Sequence, residues 1–304
     1  MMKAKAEGNS ASKDKGSSVV TVILVAALLL GAALIAYPTV ADLWNQSRAT
    51  QAMEGYSEAV STLDDKRTQS ILDEASAYND RLAQSYQAGF VPMSSAEEAA
   101  YNRLLAVDGV EVMATLEIPS IGVNLPVYHG TSERVLQSGI GHLAGSSLPV
   151  GGTSSHCVLM GHRGLTSARL LTDLDRVSEG DYFSVTVLGE QRWYLVDQIR
   201  IVEPEEVSEL AVEPGCDYCT LVTCTPYGVN SHRLLVRGIG TEPPADYIVS
   251  ADATLVNPLI AACGIAIPIL LVLVAVMLVR TSRRKPTKPS RTARHATGPS
   301  EKAR

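Results

Sequence analysis

The sequence predicts a mainly β protein, a closed barrel or sandwich, with helices before it and a membrane-spanning helix on each side. Short β-rich runs bounded by Gly, Pro, Asn and Asp fill residues 110–240, with little helix between them. Many short strands of this kind are typical of a barrel or a sandwich. The runs are ATLEIP, NLPVYH, HCVLMGH, YFSVTVLG, RWYLVDQIRIVEP, YCTLVTCTP and HRLLVRGIG.

Two uncharged apolar runs are long enough to cross a membrane. Val19 to Ala36 has 18 residues and Leu259 to Val279 has 21, whereas a hydrocarbon core needs about 20. The first run suits an uncleaved anchor or a signal peptide, and its length favours the anchor. We therefore predict membrane spans at residues 19–40 and 255–279.

Basic residues lie on the outer side of both runs. Residues 280–304 hold nine Lys or Arg against one acidic residue, and residues 1–18 hold four Lys against two. Because positive flanks stay on the cytoplasmic side, both tails are expected inside the cell and the middle of the chain outside. The whole chain carries a formal net charge of −6 although both tails are net positive. The middle of the chain is therefore acidic. This charge argues against nucleic acid as a partner.

Residues 41–109 are predicted to form a helical accessory region. Apolar residues recur at helical spacing through 41–88, and Gly89 follows as a plausible stop. Ser95 and Glu98 have the spacing of a capping box and predict a second, short helix. We expect a stalk or packed accessory helices, because the pattern lasts too few heptads for a coiled coil.

Two further segments complete the expected organisation. Within the β region, residues 110–240, only Ser167 to Asp175 is predicted to be helical. The polar stretch 241–254 is predicted to be a linker that returns the chain to the second membrane span.

The five cysteines make a poor disulfide framework. Cys263 lies in the second apolar run, and Cys157 lies in an apolar stretch that is expected to be buried. Cys216 and Cys219 form a Cys-x-x-Cys, which could be a redox pair, half a zinc site or a local disulfide. No second Cys/His pair with metal spacing follows, so no metal site is predicted.

Cys224 is the candidate nucleophile. It ends one apolar run, and a turn rich in Pro and Gly leads to a second run with Arg233 at its entrance. A nearby cation favours the thiolate, which is the nucleophilic form of a thiol. Arg233 cannot act as a base, so its expected role is to bind an oxyanion or a substrate carbonyl. Thr223 and Thr225, on either side of the cysteine, are candidate groove residues.

A cysteine nucleophile also needs a proton carrier, and histidine is the obvious one. His162 has the most suitable setting, because it follows an apolar run and lies among small residues in Gly-His-Arg-Gly. His232 directly precedes Arg233 in a predicted strand, so the two side chains should point to opposite faces. The remaining candidates in the same region are His129, His142 and His156.

The stretch from Thr220 to Gly238, TLVTCTPYGVNSHRLLVRG, resembles the signature of the sortases. It is most similar to class C sortases, the pilus-assembling transpeptidases of Gram-positive bacteria. The similarity continues upstream through IPSIGVNLPVYHGTS, GHLAGSSLPVGG and LMGHRGL, and it covers residues 110–240. The accessory helices and the second span also suit class C better than the other classes.

The resemblance implies a sortase β-barrel with Cys224, His162 and Arg233 at one end of a groove. The thiol would attack the Thr–Gly bond of an LPXTG-like sorting signal on a pilin or surface protein. The histidine would protonate the leaving amine and then activate the incoming one, and the arginine would steady substrate and oxyanion. A lysine amine of the next pilin subunit would resolve the thioacyl intermediate. The resemblance implies neither a cofactor nor a metal.

One feature usual in class C is missing from the sequence. These sortases usually carry a lid before the barrel, with an Asp-Pro-aromatic motif that occupies the active-site groove. The corresponding residues, 89–108, contain Phe90-Val91-Pro92 and no such motif. Either the lid fills the groove with other side chains, for instance Phe90 or Met93, or the site is not gated in the usual way. Our hypothesis is a lid built around Phe90 to Ser95.

Three other functions fit the same residues. A housekeeping sortase would anchor surface proteins to peptidoglycan instead of polymerising pilin, and the acceptor amine separates the two. A non-catalytic surface scaffold would keep its function without Cys224. A plain cysteine protease would release a hydrolysed product instead of an amine-linked one.

Overall fold

Eight strands close into a barrel in the computed structural model of the chain, which describes residues 11–85, 93–165, 167–244, 272 and 274–276. The order around the barrel is β1-β2-β3-β4-β7-β8-β6-β5, and β1 pairs with β5 to close it. The predicted mainly β closed barrel is confirmed. The strands are β1 (Val112–Ile118), β2 (Val123–His129), β3 (Ile140–His142), β4 (Ser155–Met160), β5 (Tyr182–Val187), β6 (Glu190–Val202), β7 (Asp217–Thr225) and β8 (His232–Thr241).

Strands β4 and β7 are covered on both faces. They pair in parallel, and nearly every residue of each is buried. Strands buried on both sides appear in sequence as continuous apolar runs instead of alternating ones, as HCVLM and CTLVTC do. One face contributes to the barrel interior, and the other packs in a smaller cluster with Val158, Val222, Leu235 and Leu210. These two strands therefore provide a rigid base for the residues at their ends.

The accessory helices pack on the barrel. They are α1 (Ala11–Ser61), α2 (Asp65–Ser85), α3 (Ser95–Tyr101) and a short α4 (Glu133–Ser138) between β2 and β3. Tyr56 of α1 is buried; its hydroxyl donates to the carbonyl of Met113 at 3.0 Å and accepts from the amide of Leu188 at 2.8 Å. Asn79 of α2 likewise bonds both backbone groups of Leu148. Of the two expected arrangements, packed helices are the one observed.

Two helix predictions need correction. The helical stretch 41–88 is interrupted after Ser61, and the side chain of Asp64 accepts from the amide of Arg67 at 2.7 Å where α2 begins; residues 86–88 lie outside the described part. The capping box of α3 uses Ser94 and Glu97 instead of Ser95 and Glu98. Two adjacent serines followed by two adjacent glutamates satisfy the same spacing, so the pattern alone does not choose between them.

The predicted helix at Ser167 to Asp175 is wrong. The chain there makes turns, with Leu170 at a φ of 39°, and only the 3₁₀ turn Leu174–Arg176 at its end is helical. Three leucines of this segment are buried, and a series of tight turns can bury all of them in a few residues. Strand β3 and helix α4 were not predicted, because elements of three and six residues are too short to show a period.

The structure describes the first predicted membrane span but only a few residues of the second. Starting at Val22, α1 is long and apolar enough to cross a membrane, and none of its most apolar window is buried. This helix covers the predicted span at 19–40. The predicted span at 255–279 lies outside the described residues except for 272 and 274–276, which are helical. The tail 280–304 and the linker beyond residue 244 also lie outside them.

The described cysteines are all free thiols. Cys216 and Cys219 are not bonded to each other. The structure therefore does not show the local disulfide that was one of the three possibilities for this Cys-x-x-Cys. Cys219 is fully buried on β7 and lies opposite Cys157 of β4. Burial raises the pKa of the Cys219 thiol well above its ordinary value, so this thiol stays protonated and unreactive.

Candidate active site

Cys224 and Arg233 form a directly opposed pair on neighbouring strands. β7 and β8 are antiparallel, and their register pairs these two residues. Opposed residues project from the same face of a sheet, so the thiol and the guanidinium share a face, and both side chains are half-buried. His232 is paired with Thr225 and therefore projects from the other face.

The guanidinium of Arg233 is held at the loop that joins β7 to β8. Its Nη1 donates to the carbonyl of His232 at 3.1 Å and to that of Asn230 at 3.4 Å. A guanidinium carries five N–H donors in a planar fork. Such a cation can donate to a carbonyl oxygen or an oxyanion that forms at Cys224.

His162 lies at the same end of the barrel as Cys224. The parallel register pairs Met160 of β4 with Val222 of β7, and the next backbone contact is the amide of Gly161 donating to the carbonyl of Val222 at 3.0 Å. His162 lies two residues after Met160, and Cys224 lies two residues after Val222, so the two residues are at the same level. A hydrogen bond from the hydroxyl of Thr223 to the carbonyl of Gly161, at 2.8 Å, ties the two ends together.

The other histidines of the region are occupied elsewhere. His142 is fully buried between the hydroxyl of Tyr101 and a backbone carbonyl. His129 and His156 each contact a backbone carbonyl, and burial lowers the pKa of both, which keeps them neutral. These three histidines are thus engaged in hydrogen bonds inside the protein, whereas His162 lies at the level of the Cys224 thiol.

Thr223 and Thr225 are buried, with 2% and 7% exposure. They alternate with Cys224 along β7 and so point to the opposite face. Thr223 bonds to the segment before His162, and Thr225 accepts from Nη1 of Arg163 at 3.2 Å. Both threonines therefore hold the ends of β4 and β7 together, while their place in a substrate groove stays a prediction.

Arg163 is a site residue that the sequence reasoning missed. Its side chain is only 9% exposed, and its Nη2 lies 2.5 Å from Oδ2 of Asp175. Together with the bond to Thr225, this ion pair joins the segment after His162, the end of β7 and the turn that precedes β5. The Gly-His-Arg-Gly motif was visible in the sequence, but nothing in it indicated the partner of the arginine.

Two other residues lie at the edge of the site. The carboxylate of Glu133 in α4 is 3.4 Å from Nε2 of His162, and no motif predicted this contact. The ring of Tyr227 is 60% exposed and lies against Gly164. Of the two predicted lid residues, Met93 is partly buried and packs against the main core, and Phe90 lies outside the described residues.

Glycine is required immediately before His162. A Cβ at Gly161 would lie 2.7 Å from Ile140 Cδ1 and 2.9 Å from Leu171 Cγ, and both of these side chains are fully buried. We expect Gly161→Ala to lower the free energy of unfolding by about 1–3 kcal/mol, as overpacking does, and to lower activity by displacing His162. Denaturant unfolding and a rate assay of the full chain measure the two effects.

Gly55→Ala is the matched control for this substitution. Gly55 lies inside α1 with no atom within 4 Å of its would-be Cβ, so alanine should stabilise the helix by up to about 1 kcal/mol. A Gly161→Ala protein that is as stable and as active as the Gly55→Ala protein would contradict the packing described here.

Comparisons with known proteins agree on one family. The family model described as the sortase domain matches residues 116–239. The crystal structure of sortase C1 from Streptococcus agalactiae is 47% identical, with a TM-score of 0.60, over 64% of this chain and 100% of that chain. Sortase C-1 from Actinomyces oris is 42% identical, with a TM-score of 0.53, over 59% of this chain and 99% of that one.

Two further relatives extend the comparison. An X-ray structure of Clostridium perfringens sortase C with the C-terminal cell wall sorting motif is 37% identical, with a TM-score of 0.56, over 64% of this chain and all of that one. A sortase A from Streptococcus agalactiae serotype III is 30% identical over 117 residues, which is 38% of this chain and 47% of that protein. The chain thus matches about half the length of this curated relative. On these matches, the chain belongs to the sortases, a family of cysteine transpeptidases.

Proposed function

We propose that the chain is a membrane-anchored transpeptidase that joins an LPXTG-like sorting signal to a lysine amine of a pilin subunit. The observation that carries the proposal is the Cys224–Arg233 cross-strand pair, with His162 at the end of the adjacent strand. The class is supported by structural neighbours that are named sortase C. A sorting motif as substrate is supported by one such neighbour, which is described with a C-terminal cell wall sorting motif.

In the first half of the reaction, the proton of the Cys224 thiol is held by His162, and the thiolate Sγ attacks the carbonyl carbon of the Thr–Gly bond. The carbonyl oxygen becomes an oxyanion, which N–H donors of Arg233 stabilise. The C–N bond then breaks as His162 gives a proton to the leaving amine. The products are a thioester on Cys224 and the released C-terminal peptide.

In the second half, the amine of a pilin lysine attacks the thioester carbonyl and gives up a proton to His162. The C–S bond breaks, the thiolate of Cys224 is restored, and an isopeptide bond links the two proteins. Dividing the reaction at a covalent intermediate lets an amine replace water as the acceptor. The thioester keeps the acyl group activated, so no nucleotide is consumed.

The proposed location follows from α1 and from the charge pattern. The apolar part of α1 would anchor the chain, and the basic flanks of the predicted spans would keep both tails in the cytoplasm. The barrel would then act outside the cell, where sorting signals and acceptor amines meet.

The proposal is tested by incubating the full chain, in detergent micelles, with an LPXTG peptide and one of three acceptors. These are a pilin domain with a surface lysine, a peptidoglycan cross-bridge peptide, and buffer without amine. Mass spectrometry should detect a Cys224 thioester and, with the pilin domain, a lysine isopeptide. Transfer to the cross-bridge peptide alone would indicate the housekeeping role, and hydrolysis alone would indicate a protease.

A further inference from the structure

A carboxylate lies beside the histidine of the site. Oε2 of Glu133 is 3.4 Å from Nε2 of His162. The side chain of His162 is 25% exposed, and that of Glu133 is 67% exposed. Within the described part of the chain, this buried Nε2 has no hydrogen-bond partner. The nearby carboxylate is therefore the candidate acceptor for it.

The two oxygens of Glu133 have different surroundings. Oε1 accepts from Nε2 of Gln137 at 2.8 Å, which leaves Oε2 toward His162. The hydrogen bond from Gln137 is the main cause that lowers the pKa of the Glu133 carboxyl, and His162 contributes a smaller effect. The group is therefore an oriented carboxylate at neutral pH.

Helix α4 is fixed against the strand next to β4. Val135 is buried, and a Cβ on Gly141 of β3 would lie 3.2 Å from the side chains of Val135 and Leu136. It would also lie 2.4 Å from the carbonyl oxygen of Gly130, so only glycine permits this close packing. Gly141 in turn pairs with Met160 of β4, two residues before His162. Carboxylate and imidazole are thus carried by neighbouring parts of one rigid framework.

We propose that Glu133 is a positioning residue for His162. Its carboxylate accepts a hydrogen bond from Nε2–H and so keeps that proton on Nε2, which leaves Nδ1 to exchange protons with Cys224 and with the two amines. In a neutral imidazole, the bond made by one nitrogen decides which nitrogen remains the base. The present distance slightly exceeds that of a hydrogen bond, and such contacts shorten when the ring becomes charged. This inference rests on the proposed acid–base role of His162.

If Glu133 had a purely structural role, aspartate should be able to replace it. A negative charge in the first turn of a helix is favourable by itself, and aspartate would serve this purpose equally well. Aspartate is one methylene shorter, however, and would withdraw its oxygens from His162. The adjacent Arg134 pairs with Glu111 at 3.2 Å, away from the histidine, and provides the control.

The test compares E133Q, E133D and R134Q in the full chain. Nitrogen-15 NMR of labelled imidazoles reports which ring nitrogen of His162 carries the proton. In wild type and R134Q, the Nε2–H form should dominate, and in E133Q and E133D the two tautomers should mix. With the LPXTG peptide, kcat should fall about three- to fivefold in E133Q and E133D, the range of an exposed ion pair, while KM stays unchanged.

The two readouts separate the inference from the proposed function. The NMR measurement needs no substrate, so it judges Glu133 even if wild type forms no thioester, in which case the proposed function fails instead. The inference is overturned if the ring signals of E133Q match those of wild type. It is also overturned if an active wild type and E133Q share the same kcat, or if E133D is as active as wild type.

Discussion

Cys224→Ala should abolish acyl transfer completely. The substitution removes the only thiol of the described residues that lies level with His162 and opposite Arg233, and no other group there can form the thioester. Because Cys224 is half-buried at the end of β7, alanine should leave the unfolding free energy nearly unchanged. The loss is measured as the absence of both the acyl-enzyme and the isopeptide product in the mass spectrum.

Cys216→Ala is the matched control. Cys216 is also a free, half-exposed cysteine, but it precedes β7 at the strand end away from Cys224. Its removal should leave acyl transfer at the wild-type rate. Residual transfer by Cys224→Ala, or an equal loss in Cys216→Ala, would show that the nucleophile is not Cys224.

His162→Ala should lower kcat by about 10²- to 10⁴-fold, the usual contribution of a general acid–base group. Both halves of the reaction should slow, because the same imidazole protonates the leaving amine and deprotonates the incoming one. Rapid-quench measurement of thioester formation, followed by mixing with acceptor amine, resolves the two steps. Free imidazole added to the variant should restore part of the first step.

His232→Ala controls for the loss of an imidazole near the site. His232 pairs with Thr225 and projects from the face opposite to Cys224, so its removal should change kcat less than twofold, as for a surface residue outside the site. If His232→Ala were as impaired as His162→Ala, the assignment of the proton carrier would have to move to His232.

Contacts between neighbouring strands in the sequence could be predicted, whereas contacts between distant strands could not. The hairpin of β7 and β8 could be predicted, because a single turn-rich connection separates the two apolar runs, whereas their register is seen only in the structure. The parallel pairing of β4 with β7 could not, since nothing in either run specifies its neighbour across the barrel. The placement of His162 at the level of Cys224 depends on that pairing, and the sequence supported it only through the chemical need for a base.

The missed residues have a common physical reason. The partners of Arg163, which are Thr225 and Asp175, lie 62 and 12 residues away in the sequence. Glu133 lies in α4, whose six residues are too few to show a period. Glu133 comes near His162 because α4 packs tightly over Gly141, which is a tertiary effect. A charged residue of this kind looks like any solvated side chain until the fold is known.

The direct opposition of Cys224 and Arg233 restricts how the connection between Thr225 and His232 can vary. Side chains alternate along a strand, so shifting β8 by one position against β7 would move the guanidinium to the far side of the sheet. The loop can therefore exchange its residues, and with them the surface offered to a partner protein, as long as the register is kept. Insertions that absorb their extra length in the turn should be tolerated, whereas a single-residue slip should inactivate a stably folded barrel.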